Sequence, residues 1–401
     1  MKPWLVALVA TPWVATVFTP SSTPTTIVIG GEFNGYLSPC GCSEPMLGGL
    51  ERLGGLVAST RQAGKTLVFV SGPITSSLGR QSELKAETVA EAVRVVGASG
   101  FNLTSQDSRL GLGTVSSMQN LSRDKLLWGR KGRVAGAFWV AGASQKQGEI
   151  AANLDEETGN LGDSLAQSGG RPVIVLLEGD LAYARQIATQ YKQVRLIVFT
   201  APGKAPAAPV KEGAAWLVHP GERGTAAIRL TWQGGRWISY QAVPLGPDTT
   251  TDQGVRKVFH EYLNRVDEED LLEQMPRSSG PEYAGSQICM SCHTEAAKKW
   301  QESKHAVALA TLEGEHHDRD PDCISCHVVD IQTQNGFRTR TETPDLADVG
   351  CESCHGPGLA HTNLPKVNKM PKFASDSCTK CHTVNNSPRF EFDSYWKKIA
   401  H

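Results

Sequence analysis

One five-residue pattern, written four times, constrains the last third of the chain more than anything else in the sequence. The copies read Cys289-Met-Ser-Cys292-His293, Cys323-Ile-Ser-Cys326-His327, Cys351-Glu-Ser-Cys354-His355 and Cys378-Thr-Lys-Cys381-His382. C-x-x-C-H is the attachment signature of c-type haem. Two thiols separated by two residues can both reach the edge of one porphyrin and add across its vinyl groups. The histidine that follows then turns under the ring and offers iron its proximal nitrogen. Structural zinc uses C-x-x-C pairs with no obligatory histidine in the fifth position, and a redox dithiol does not recur four times on one short segment. Four covalently attached haem c groups are therefore expected, anchored by eight cysteines, with His293, His327, His355 and His382 on iron.

The rest of the composition follows this split. Ten cysteines resolve into these eight and one early pair, Cys40 and Cys42, and of eleven histidines only His219 and His260 precede residue 281. Subtracting the proximal four leaves His305, His316, His317, His361 and His401 as candidates for the opposite faces of the irons, since imidazole is a good iron ligand. Met370 is a weaker thioether candidate. Cys40-Gly-Cys42 reads as a strained adjacent disulfide or a pair of free thiols in a tight turn ahead of a metal or redox pair. Forty Lys+Arg against forty-one Asp+Glu leave no basic excess for a phosphate backbone, so nucleic acid is not an expected partner. The haem segment itself holds thirteen basic and sixteen acidic residues, and haem propionates add to the negative side. That balance favours basic redox partner proteins.

Along the chain, residues 1–24 look like an export signal or an uncleaved N-terminal anchor. Pro3 to Phe18 is a largely apolar run behind a single Lys2, too short for a confident transmembrane span. Export to the periplasm or beyond suits covalent haem attachment, and an uncleaved anchor would associate the protein with a membrane or a membrane complex. Residues 25–250 alternate short apolar runs (Thr26–Ile29, Thr66–Val70, Val134–Val140, Val173–Leu177, Val194–Phe199) with helical patterns at Glu83–Val96 and Leu181–Tyr191. Ile228–Trp232 and Trp237–Ala242 flank Gly234–Gly235 as a hairpin. This alternation predicts a layered α/β domain with sheets packed in its middle. Residues 251–280 read as an amphipathic connecting helix and a Pro/Ser/Gly linker. Residues 281–401 are expected to be mainly α and loop-rich, with one helix over Thr294–Leu312, because porphyrins supply apolar mass that side chains otherwise provide.

The last 121 residues resemble the tetrahaem cytochrome c-554/c-prime family. The matching stretches are Tyr283-Ala-Gly-Ser-Gln-Ile-Cys289, Trp300, Ser303-Lys-His-Ala306 and Cys351-Glu-Ser-Cys-His-Gly-Pro-Gly358 with His361. The resemblance implies His361 opposite His293 and His305 opposite His355, which leaves His316 or His317 for the His382 haem. It also implies a five-coordinate iron at His327, which a C-terminal His401 would cap. Residues 25–250 resemble the calcineurin-like metallophosphoesterase domain of 5′-nucleotidases, in the form that carries Pro39-Cys-Gly-Cys42 followed by Leu47-Gly-Gly-Leu50. A two-metal hydrolase clamps its substrate between cations held by Asp, Asn and His ligands. Here those positions read Glu32, Asn34, Pro73 and Ser105-Gln106-Asp107, and no histidine lies between residues 170 and 210. The expectation is therefore an electron-transfer protein with a catalytically inactive phosphoesterase-like lobe for docking or scaffolding. The alternative is an oxidoreductase acting on a small nitrogen or oxygen species at an open His327 iron.

Overall fold

The computed structural model describes residues 23–39, 45–129, 132–157, 159–200 and 206–401. The expected export segment falls almost entirely outside the described residues, and so do Cys40 and Cys42.

Among the described residues, twelve strands form two six-stranded sheets. In chain order they are β1 (Thr25–Gly31), β2 (Thr66–Ser71), β3 (Gly100–Asn102), β4 (Leu126–Leu127), β5 (Gly132–Ala135) and β6 (Phe138–Ser144). There follow β7 (Val173–Glu178), β8 (Val194–Thr200), β9 (Val210–Glu212), β10 (Ala215–Val218), β11 (Ala226–Gln233) and β12 (Arg236–Pro244). The first sheet runs β12-β11-β1-β2-β3-β4 and the second β5-β6-β7-β8-β10-β9. Most parallel pairs are joined by helical crossovers, β9 lies in the chain between the parallel strands β8 and β10, and the hairpins add antiparallel edges.

Strand alternation decides the layering. Ile27 and Ile29 of β1, Phe69 of β2, Ile174 and Leu176 of β7 and Leu196 and Val198 of β8 meet between the sheets. Their neighbours Val28, Val68 and Val70 face the other way, onto the helices Leu50–Ala63, Arg80–Val95 and Gln253–Glu268. Val173, Val175 and Leu177 face the helix Leu181–Gln190 on the far side. The result is a helix/sheet/sheet/helix sandwich, as the alternation predicts. Each fully buried Ile, Leu or Phe in these layers contributes about 1.5–3 kcal/mol of transfer free energy.

Local differences from the sequence expectation have local causes. Val134–Val140 is not one strand: Gly136 takes a positive φ of 58° and folds the run into the β5–β6 hairpin. Gly234 and Gly235, at φ 58° and 82°, form the expected β11–β12 turn. The connecting helix is built into the first lobe. Asp252 caps it through the Val255 N–H at 2.9 Å, and Val255, Val258, Phe259, Tyr262, Leu263 and Val266 are buried in the lobe's core. Thr294–Leu312 is also broken, into Thr294–Gln301, a 3₁₀ turn Lys304–Val307 and Ala308–Glu313. The Ser303 hydroxyl accepts from the His305 N–H and starts a new turn there.

The C-terminal segment is helical and loop-rich, with one small apolar cluster around Leu309, Ile324, Val328, Val329 and Phe337. It is fastened to the sandwich by polar contacts. Buried Asp320 accepts from Gln81 Nε2 at 2.7 Å and from the Tyr262 hydroxyl at 3.0 Å. Lys85 pairs with Asp322, and Arg319 pairs with Asp267 and Asp270. Arg223 lies 3.7 Å over the Tyr36 ring and donates to the Asn385 carbonyl at 2.8 Å. Removing one donor from a buried carboxylate costs about 1.5–3 kcal/mol. Tyr262→Phe is therefore expected to lower the urea midpoint followed by circular dichroism. An unchanged midpoint would show that this network does not hold the two parts together.

Candidate haem-binding site

Short helices present the motifs. Ser286–Cys292 carries the first, Pro321–Ile324 opens the second, Cys351–His355 is the third and Asp376–Thr379 opens the fourth. None of the eight cysteines is in a disulfide. Cys289 hydrogen-bonds to Cys351, and Cys326 to Cys381. The first motif therefore adjoins the third, and the second adjoins the fourth. The Cys289 contact also pulls the Cys351 thiol down to about 6.

Glu352, a residue the motif pattern leaves unspecified, fixes one of these junctions. Its buried carboxylate accepts from the N–H groups of Ala284 at 2.9 Å, Gly285 at 2.8 Å and Gly358 at 2.6 Å. The Cys351 N–H donates to Ser286 Oγ at 3.2 Å, and Trp300 Nε1 donates to the Val349 carbonyl at 2.8 Å. No periodicity points to such a staple; a glutamate between two cysteines of an attachment motif was the available signal. A small cavity of about 60 Å³ lies here, bordered by Cys289, His293, Trp300, Cys351, Cys354, His355 and His401.

Six histidines meet in three ring-to-ring pairs. The centroids of His293 and His361 are 6.4 Å apart, those of His305 and His382 6.2 Å, and those of His355 and His401 5.8 Å. An imidazole nitrogen binds a first-row metal at about 2.0–2.1 Å, and the ring centre lies about 1 Å further out. Two imidazoles on opposite faces of one metal thus have centroids roughly 6 Å apart, so the pairs fit trans ligation.

The first pair is the one the resemblance implied; the other two correct it. His305 faces His382 and not His355, because the break at Ser303 turns it out of the preceding helix. His401 faces His355 and not His327, because the helix Phe392–Ile399 stacks Trp396 on Phe373, at 4.7 Å, beside the third motif. His382 is therefore not matched with His316 or His317. His316 is exposed at a positive φ of 59°. His317 packs 5.6 Å from Phe259, with its Nδ1 3.6 Å from Cys323 Sγ.

Backbone and hydroxyl groups orient several of these rings. Nδ1 of His327 meets the Ala308 carbonyl at 2.7 Å, that of His361 the Asn368 carbonyl at 2.6 Å and that of His401 the Ile399 carbonyl at 2.9 Å. His382 Nδ1 meets Ser387 Oγ at 3.1 Å. Tying Nδ1 leaves Nε2 for a metal, which is the usual second contact of a ligating histidine. Burial also lowers the proton affinity of His305, His355 and His382 and favours the neutral imidazole that metals bind.

In the first lobe, the polar residues at the strand ends are bound to the protein itself. Asp107 accepts from the N–H groups of Ile74 at 3.0 Å and Thr75 at 3.1 Å, and from the Thr104 hydroxyl at 2.6 Å. Glu178 holds Ser105 through its N–H at 2.8 Å and its hydroxyl at 2.6 Å, and also accepts from Ser144. Asn102 Oδ1 accepts from the Gly72 N–H at 2.8 Å. Glu32 lies 3.4 Å from His219 Nε2, and burial raises its pKa against the opposing pull of His219. His219 Nδ1 accepts from the Gly221 N–H at 3.2 Å. His317, Asp320 and Cys323 bring ligand atoms within 4.8 Å of one another, but Asp320 is already held by Gln81 and Tyr262.

Residues 288–356 match the family model described as cytochrome c554 and c-prime, which takes in the first three motifs. Cytochrome c-554 of Nitrosomonas europaea is 33% identical over 91 residues, covering 19% of this chain and 39% of that protein. The chain thus matches well under half of that relative's length. The chain is also similar to two solved structures from another organism. A 5′-nucleotidase precursor from Thermus thermophilus is 16% identical with a TM-score of 0.49, over 66% of this chain and 63% of that one. The Thermus thermophilus sulfate thiohydrolase SoxB is 14% identical with a TM-score of 0.47, over 63% of this chain and 62% of that one.

Burial raises Asp107 to about 6 from the ordinary 3.8. Between these values the folded protein holds a proton that the unfolded chain has released, so the contribution of Asp107 grows as pH falls through the window. Comparing Asp107→Asn with the parent from pH 7 to pH 4, thermal unfolding should shift the difference toward the parent. The shift should be on the order of 3 kcal/mol. A pH-independent difference would contradict the burial argument.

Proposed function

We propose that the chain is an exported electron-transfer protein in which four covalently bound haem c groups relay electrons between redox partner proteins. The carrying observation is the set of three imidazole pairs at 5.8–6.4 Å, each including one motif histidine. Bound haem supplies reversible one-electron chemistry, and bis-histidine ligation favours low potentials relative to Met/His ligation. The chain's own part is to hold the rings. His293, His327, His355 and His382 would serve as proximal ligands, with His361, His305 and His401 facing three of them. The contacts Cys289–Cys351 and Cys326–Cys381 bring the first and third, and the second and fourth, attachment sequences together.

The first lobe is proposed as a scaffold without phosphoesterase activity. Asp107, Glu178 and Asn102 are engaged by backbone and hydroxyl donors. No helix among the described residues is long and apolar enough to cross a membrane. Export rests on the N-terminal run and on the compartment in which c-type haem is attached.

A second reading starts from His401. Its position against His355 removes the cap that the sequence offered to the His327 iron, and small-molecule chemistry at that iron is the alternative function.

Pyridine haemochrome analysis should give four haems per chain, and a redox titration should resolve several one-electron steps. A protein that binds zinc in their place would overturn the proposal. Hydrolysis of nucleotides with added divalent metal would overturn the inactive-lobe reading. His401→Ala should convert one ferric low-spin haem to high-spin in electron paramagnetic resonance. An unchanged spectrum would place His401 off the iron, and a high-spin haem already present in the parent would favour the second reading.

A further inference from the structure

Charge is distributed unevenly along the haem segment. Residues 281–358 carry six basic and thirteen acidic side chains, whereas residues 359–401 carry seven basic and three acidic. Three of those basic groups, Lys366, Lys369 and Lys372, are exposed on one loop together with Leu364, 58% exposed, and Val367, 73% exposed. None of the three lysines has a carboxylate within ion-pair distance among the described residues. The arginines Arg319, Arg338 and Arg340 of the preceding stretch are all paired with Asp or Glu. The loop is also bonded to the candidate centre. The Asn368 carbonyl meets His361 Nδ1 at 2.6 Å, Asn368 Nδ2 donates to the Ala360 carbonyl at 2.9 Å, and His361 faces His293.

We infer that the loop Leu364–Lys372 is the docking surface for an acidic redox protein, which would exchange electrons with the haem held between His293 and His361. This rests on the electron-relay reading. Unpaired ammonium groups around an apolar centre steer an oppositely charged partner and bind it weakly, as a transient electron-transfer encounter requires. The sequence as a whole, with its slightly acidic balance, points to a basic partner; this surface assigns the opposite charge to one of the two partners.

The test uses the four-haem holoprotein and two reductants in stopped flow: an acidic flavodoxin hydroquinone and a small neutral reduced flavin. The variant is Lys366→Glu, Lys369→Glu, Lys372→Glu combined, with the corresponding Gln triple as a milder form. None of the three ligates a haem. In the parent, the rate with flavodoxin should fall steeply as ionic strength rises from about 0.01 M to about 0.15 M. In the Glu variant it should fall ~10-fold or more at low salt and lose most of its salt dependence, with the Gln variant between, while the neutral-flavin rate stays unchanged. Parent and Glu variant rates that coincide with flavodoxin would overturn the inference and leave the relay intact. Haems that neither reductant reduces would overturn both. Loss of co-sedimentation with anionic phospholipid vesicles in the variant, with the flavodoxin rate retained, would reassign the loop to a membrane surface and overturn the protein-docking inference.

Discussion

Holding three pairs of imidazole rings about 6 Å apart governs the course of the C-terminal chain. Each pair joins a motif histidine to a ring far along the sequence, so each closes a long loop at an entropic cost. The segment has little apolar mass to offset this. Its largest cluster is built on a few residues such as Leu309, Val329 and Phe337. The paired rings are nonetheless positioned by specific packing. Phe390 stacks on His382 at 4.9 Å and Tyr395 meets the same ring edge-on at 5.4 Å. Next along the chain, Trp396 stacks on Phe373. The final helix thus braces one pair while presenting His401 to another. In such a segment the binding of cofactor and the folding of the chain are one equilibrium.

What could be read from the sequence follows from the range of the interaction that encodes it. The motifs depend on five consecutive residues, and the layered sandwich on the two-residue alternation of β1, β2, β7 and β8. Both are local and both were legible. The breaks at Gly136 and Ser303 turn on one backbone angle and one side-chain cap, which an apolar pattern passes over. The distal pairing is the least local feature. His305 and His355 both lie in matching stretches of a related family, yet which ring His305 meets is decided by a turn at Ser303 and by Phe390 and Tyr395 near the other end of the segment. The amphipathic helix Gln253–Glu268 was legible as a helix, but its six buried residues say nothing about which of two lobes they face.

The first lobe spends the polar groups at its strand ends on the protein itself. A carboxylate that is to hold a cation must leave its lone pairs converging on open space. Asp107 spends its oxygens on two backbone N–H groups and a hydroxyl, and Glu178 on Ser105 and Ser144. These bonds tie the loops after β2, β3 and β7 to one another across the sheet ends. A charge buried this way is tolerated because its donors replace water. Placing a cation among these carboxylates would mean breaking that lattice first.

The same accounting of charge explains why the two parts are fastened together and why their surfaces differ. Asp320 and Asp322 lie just ahead of the second attachment motif, and they are met by Gln81, Tyr262 and Lys85 of the sandwich. Arg319, next to them in the chain, reaches back to Asp267 and Asp270. Part of the acidic excess of residues 281–358 is therefore neutralised inside the molecule and is not presented to a partner. Among the described residues Lys366, Lys369 and Lys372 have no such counterpart, and their charge stays at the surface. The net formal charge of −1 averages over an interface that consumes acids and a tail that exposes bases. An electrostatic argument for this protein has to be made face by face.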